Sequence, residues 1–111
     1  MTREFIILPE FEKSWKSMNL TDSDLRKLQY DLISNPQSGV VIKGTGGLRK
    51  MRVAFENRGK KGSMRVIYVD FTDFCKIYLI TAYPKNAKDN LSDDEKKKIK
   101  ILIEELFESI R

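Results

Sequence analysis

The sequence contains no histidine and a single cysteine, Cys75, among its 111 residues. Zinc sites built from spaced cysteines and histidines are therefore excluded. One cysteine also excludes an internal disulfide and indicates a reducing compartment. Without histidine, any proton transfer has to use lysine, arginine, tyrosine, serine or a carboxylate. For Cys75 itself, at the edge of a strand-like run, the pattern favours a small core residue over a nucleophile.

Long apolar runs are lacking as well. No stretch approaches the roughly 20 apolar residues of a membrane-spanning helix, and the start, MTREFIILPEFEK, is too acidic and too briefly apolar for a secretory signal. No phosphate-binding loop precedes a helix, because GTGG at 44–47 leads into a strand-like run and is interpreted as a bend. The acidic residues, whose carboxylates could otherwise hold Mg²⁺, cluster on predicted helices. We therefore expect a cytoplasmic protein without membrane association, bound metal or other cofactor.

Hydrophobic periodicity predicts one domain that spans residues 1–111. Strands are predicted at 4–8, 48–55, 64–71 and 76–83, helices from Pro9, Thr21 and Ser92, and a loop at 37–47. Ser92 and Glu95 form a capping box, and Trp15 is predicted to anchor the core. The resulting order is β-α-α-β-β-β-α. This order is typical of an α+β domain in which an antiparallel sheet packs against two N-terminal helices, with a C-terminal helix.

Positive charge is concentrated on one predicted hairpin. From Lys43 to Arg65 the chain carries eight lysines or arginines and one acid, Glu56, a local charge of +7 in a chain whose total is +5. Strand alternation places Lys50 and Arg52 on one face, roughly 7 Å apart, and the hairpin brings Arg65 near them. Clustered cations repel one another, so the cluster indicates an anionic partner, and phosphate esters match the geometry of arginine.

A solvated sheet edge is the alternative interpretation for the lysines of the turn, Lys60 and Lys61, because lysines keep edges from pairing. It fits Arg52 and Arg65 less well, since both lie within apolar strands. The residues thus indicate a compact nucleic-acid-binding domain. They leave open whether the domain only binds or also cuts.

Three stretches, KGTGGLRKMRVA, KKGSMRVIYV and YLITAYPKNAKDNLSDDE, resemble the RelE/HigB superfamily of bacterial toxins from type II toxin–antitoxin systems, and within it the HigB-2 type branch. The resemblance covers nearly the full chain. It implies a RelE-like fold, a cognate antitoxin as partner, and a metal-independent endoribonuclease that cuts mRNA in the A site of the 70S ribosome. In such enzymes the ribose 2′-OH attacks the adjacent phosphorus. A non-catalytic RNA- or ribosome-binding relative of the same fold is the alternative.

Matched motif to motif, the resemblance implies four catalytic residues: Lys50, Arg52, Arg65 and Lys85. Eight further residues are predicted to bind RNA or the ribosome: Lys43, Arg49, Arg58, Lys60, Lys61, Tyr68, Tyr83 and Asn86. One of the two tyrosines is expected to stack on a base. The chain departs from the RelE pattern at Asn86, where an arginine is common, and in having no tyrosine from residue 84 onwards, which leaves the general acid and base open. Because apolar neighbours account for the burial of its strand, Arg65 is not expected to be needed for the core.

Overall fold

The computed structural model of the chain describes residues 2–54, 64–85, 87 and 90–111. The five strands are β1 (Glu4–Ile7), β2 (Val40–Val41), β3 (Arg49–Val53), β4 (Met64–Phe71) and β5 (Lys76–Pro84). The three α-helices are α1 (Pro9–Ser17), α2 (Asp22–Ser34) and α3 (Asp93–Ile110), and a 3-10 turn occupies Thr72–Phe74. None of these helices is both long enough and apolar enough to cross a membrane.

The helix starts follow from local chemistry. Pro9 opens α1, where its missing N–H removes a donor that the first turn leaves unpaired anyway. At α2, the Thr21 hydroxyl accepts a hydrogen bond from the Asp24 amide (3.2 Å) and the Asp24 carboxylate accepts one from the Thr21 amide (2.9 Å). Ser92 and Glu95 make the same reciprocal pair at α3, so the predicted capping box is confirmed.

The sheet has the strand order β1-β5-β4-β3-β2. Neighbours from β2 to β5 are antiparallel, whereas β1 runs parallel to β5. The predicted α+β class is confirmed, but the sheet is mixed rather than wholly antiparallel. The helices α1 and α2 lie between β1 and the other strands in the sequence, and periodicity within a strand carries no information on its direction. The predicted loop at 37–47 also contains β2, a short edge strand.

Each face of the sheet has its own hydrophobic core. On the face covered by α1 and α2, the buried side chains include Phe11, Trp15, Leu28, Leu32, Val66, Tyr68, Ile77 and Leu79. On the face covered by α3, they include Leu48, Ile67, Val69, Tyr78, Ile80, Tyr83, Leu91 and Ile103. Trp15 is 4% exposed and confirms the predicted anchor. Because β4 and β5 are covered on both sides, their sequences are apolar on both faces.

Cys75 departs from its predicted place in the core. The residue is exposed and adopts a left-handed backbone conformation, with φ of 54°. It ends the turn at Thr72–Phe74, where its amide donates to the Thr72 carbonyl at 3.2 Å. The short reversal between β4 and β5 therefore sets the position of Cys75, and strand alternation does not apply to it.

Candidate functional site

Three residues on adjacent strands form a row across one end of the sheet. Arg52 on β3 lies opposite Arg65 on β4, and Arg65 lies opposite Tyr83 on β5. Paired residues of antiparallel strands share a face, with Cβ atoms roughly 5 Å apart. The structure thus brings Arg52 and Arg65 together, as the hairpin pattern predicts. The row lies where β3 and β5 end and β4 begins.

The row occupies the face of the sheet that α3 covers. Met51, Val53, Met64 and Val66 belong to the core on the opposite face, so the residues that alternate with them point toward α3. Lys50 lies in the next row, opposite Ile67. Lys50, Arg52 and Arg65 therefore share one face, an arrangement in which three cations can bind the oxygens of one phosphate group.

A bulge in β5 places Tyr83 in the row. The pairing steps from Ile67–Thr81 to Tyr68–Leu79, so Ile80 has no register partner within these strands. Both Tyr78 and Ile80 pack on the α3 face, and plain alternation would place residue 82 there instead of residue 83. The extra residue shifts the alternation by one position. Tyr83 is 6% exposed and packs in the α3-face core.

The cations of the site differ in exposure. Arg52 is exposed and Lys50 is half-buried, whereas Arg65 is only 4% exposed. Arg65 is not expected from the sequence to be needed for the core, whereas the structure buries its side chain on the α3 face of the sheet. Lys85 is exposed directly after β5, and Lys43 is exposed in the loop between β2 and β3.

Asn90 is a residue of this site that sequence reasoning missed. The Lys50 ammonium donates a hydrogen bond to the Asn90 side-chain oxygen at 2.8 Å. Asn90 lies 40 positions from Lys50, in the segment between β5 and α3. No local motif in the sequence indicates this pairing.

Arg49 and Tyr68 lie away from the row and hold the chain that leads into β2. The Arg49 guanidinium donates to the Gly39 carbonyl at 2.7 Å and to the Gln37 carbonyl at 3.3 Å. Tyr68 is fully buried, and its hydroxyl accepts from the Gly39 amide and donates to the Pro36 carbonyl, each at 2.9 Å. Either Tyr83 or Tyr68 is expected from the sequence to stack on a base, but the structure buries both rings, with Tyr68 at 0% and Tyr83 at 6% exposure.

The spacing of the strand motif already contained the signal for Tyr68. In R-x-I-Y the tyrosine stands three residues after Arg65, and residues an odd number apart point to opposite faces of a strand.

Four predicted RNA-binding residues, Arg58, Lys60, Lys61 and Asn86, lie outside the described residues. Among residues 2–54, 64–85, 87 and 90–111, no three side chains of histidine, cysteine, aspartate or glutamate come together as a possible metal site.

Comparison with known proteins identifies one family over nearly the whole chain. A family model described as the RelE toxin of the RelE/RelB toxin–antitoxin system matches residues 7–110. Among solved structures, the chain is similar to the E. coli toxin RelE in the free state, determined as a variant with two arginines replaced by alanine. The two share 16% sequence identity, with a TM-score of 0.59 over 88% of this chain and 97% of that chain. At this identity the likeness is one of fold.

Proposed function

The chain belongs to the RelE toxin family, whose members are paired with an antitoxin, and we propose that this toxin is a ribosome-dependent endoribonuclease that cuts mRNA in the ribosomal A site. The observation that carries the proposal is the pairing of Arg52 with Arg65 beside Lys50, on one face of the sheet. A phosphate of the RNA backbone is the ligand that three such cations match.

In the proposed reaction, the 2′-oxygen of a ribose attacks the adjacent phosphorus. The bond from phosphorus to the 5′-oxygen breaks, the 2′-OH gives up its proton, and the leaving 5′-oxygen takes one up. The products are a 2′,3′-cyclic phosphate and a 5′-OH end. Negative charge builds on the phosphate oxygens at the transition state, and preorganised cations stabilise it there more than in the ground state.

Each cation contributes from a different position. Arg52 is exposed and meets the RNA first, whereas Arg65 is buried on the neighbouring strand and has little freedom to reorient. Lys85 follows Pro84, which pairs with Met64 at the same end of the sheet, and we assign it to the RNA strand next to the cleaved bond. Fixed charges need no reorganisation when the transition state forms, which is the physical basis of their effect.

Ribosome dependence is proposed because the chain lacks the usual proton-transfer residue. With no histidine, the cations stabilise charge but do not by themselves align the 2′-OH with the bond that breaks. A ribosome that holds the codon in a bent conformation would supply this alignment. Orientation of reacting groups can contribute several kcal/mol, up to roughly 7–11 kcal/mol, to lowering a barrier.

The test uses purified protein with a translated mRNA and, separately, with the same RNA naked, both followed by mapping of 5′ ends. We expect cuts within codons of the translated message, with 5′-OH and cyclic phosphate ends, and no appreciable cutting of naked RNA. Efficient cutting of naked RNA in EDTA would overturn ribosome dependence. Ribosome binding without any cleavage would instead establish the non-catalytic alternative.

The antitoxin is proposed to be acidic, or to carry an acidic segment, and to cover the basic face. The segment from Lys43 to Arg65 has a net charge of +7, so a partner that masks it gains from opposite charge. Binding should then weaken between about 0.05 M and 0.5 M salt, because added ions screen exposed charge pairs. An antitoxin that contacts only the α1 and α2 face would contradict direct masking and require an indirect mechanism.

A further inference from the structure

Asn90 connects the segment before α3 to the basic face of the sheet. Its side-chain oxygen accepts a hydrogen bond from the Lys50 ammonium at 2.8 Å. Hydrogen bonds from a charged donor are shorter and stronger than neutral ones. The contact therefore fixes where the positive charge of Lys50 lies.

The residues that follow Asn90 hold it in place. Leu91 is 7% exposed and packs in the core on the α3 face. Ser92 caps α3 through its reciprocal hydrogen bonds with Glu95. With a core anchor and a helix cap directly after it, Asn90 has a defined backbone position relative to β3.

Lys50 needs a partner if its ammonium group is to keep one position. A lysine side chain has four rotatable bonds and about 2 kcal/mol of rotamer entropy in solution, so a half-buried lysine samples many positions unless a partner holds it. Lys50 lies on the same face as Arg52, two residues along β3, at a distance of roughly 7 Å. Held by Asn90, its ammonium stays beside the row that contains Arg52 and Arg65.

We infer that Asn90 is a positioning residue that holds the Lys50 ammonium in register with Arg52 and Arg65, so that the three cations meet one RNA phosphate together. The inference rests on the proposed function. Asn90 acts through Lys50 and contributes no charge of its own. Its effect therefore falls on the rate of the chemical step, because orientation of a charge-stabilising group is worth most in the transition state.

The test compares Asn90→Ala, Asn90→Gln and the control Thr21→Ala in single-turnover cleavage of mRNA on translating ribosomes. We expect Asn90→Ala to slow cleavage about tenfold or more, with ribosome affinity and melting temperature close to those of the wild type, since Asn90 is exposed. Asn90→Gln keeps the amide and should recover part of the rate. Thr21→Ala removes the cap of α2, a helix on the opposite face of the sheet, and should lower the melting temperature while leaving the rate unchanged.

A double-mutant cycle with Lys50→Ala separates positioning from a general structural role. If Asn90 acts through Lys50, Asn90→Ala has no further effect once Lys50 is alanine. The full rate loss of Asn90→Ala in that background, or a wild-type rate for Asn90→Ala alone, would overturn the inference. A wild-type protein that fails to cut translated mRNA would instead refute the proposed function, so the two failures are distinguishable.

Discussion

Arg52 and Arg65 lie directly opposite each other on β3 and β4, so two guanidinium groups share one face of the sheet at neighbouring positions. Like charges placed opposite each other destabilise a sheet, by roughly 0.2–1 kcal/mol for a pair. An anion bound between the two would remove this repulsion. The pair therefore predicts that stability and activity respond in opposite directions when its exposed member is replaced.

Arg52→Thr tests this opposition, because threonine suits a strand and removes the charge. We expect the free energy of unfolding to stay the same or rise by up to about 0.5 kcal/mol, while ribosome-dependent cleavage falls about a hundredfold. Lys76→Thr is the control: it removes a cation at the opposite end of the sheet, where Lys76 pairs with Glu4. That variant should keep its cleavage rate, with little change in stability because the ion pair is largely exposed. A marked loss of stability in Arg52→Thr would show that Arg52 is a structural residue.

Arg65 requires a variant that keeps its volume. Because the side chain is 4% exposed, Arg65→Ala leaves a cavity and should cost on the order of 2 kcal/mol of stability. Arg65→Met fills most of that space without the charge, and it should melt closer to the wild type while cleaving about a hundredfold more slowly. Arg65→Lys keeps the charge and should fall between them. Melting curves and single-turnover rates check each variant, and wild-type cleavage by Arg65→Met would refute the assignment.

Local chemistry made much of the fold predictable. Pro9, Thr21 and Ser92 each start a helix for reasons contained within four residues of sequence. The two apolar faces of 64–71 likewise indicate a strand covered on both sides. By contrast, the direction of β1 is set by its pairing with β5 about 70 residues later, and no periodicity within either segment encodes it.

The shared face of the three strand cations was predictable from the sequence, whereas the positions of Tyr83 and Asn90 were not. Alternation correctly places Lys50 and Arg52 together, and the hairpin places Arg65 opposite Arg52. The position of Tyr83 depends on the bulge at Ile80, which breaks the alternation that a sequence pattern assumes. The contact from Asn90 to Lys50 spans 40 positions, and such a contact becomes visible only when packing has brought the segments together.

Asp70 is predicted to be the carboxylate whose loss costs the most stability. It accepts a hydrogen bond from the Arg3 guanidinium at 2.8 Å, and the two side chains are 1% and 4% exposed. Removing one member of a buried ion pair leaves the other charge without compensation, so Asp70→Ala should lower the free energy of unfolding by about 3 kcal/mol. Glu12→Ala breaks the exposed pair of Glu12 with Lys16 and should change it by less than about 0.5 kcal/mol. Thermal melts measure both, and equal effects would contradict the prediction.

The pH dependence of that ion pair follows from Arg3. Its hydrogen bond to Asp70 raises the pKa of Arg3 above the usual value. A raised pKa in the folded state adds stability below the ordinary pKa of arginine, and this stability is lost only as the pH rises through the raised value. The stabilisation from Arg3 should therefore be the same at pH 6 and pH 9. A wild-type advantage over Asp70→Ala that changes markedly between these two values would contradict this expectation.

Tyr68→Phe should destabilise the protein without impairing cleavage. The change leaves the Gly39 amide and the Pro36 carbonyl without the hydroxyl that each contacts at 2.9 Å, and a buried polar group that loses its partner costs about 1–3 kcal/mol. Tyr68 also points to the face opposite Arg65, so ribosome binding and the cleavage rate per folded molecule should match the wild type. Tyr30→Phe, at a tyrosine 73% exposed, is the control and should leave the melting temperature unchanged. If Tyr68→Phe instead melted like the wild type and lost ribosome binding, the residue would contact RNA after all, and its place in the core would have to be abandoned.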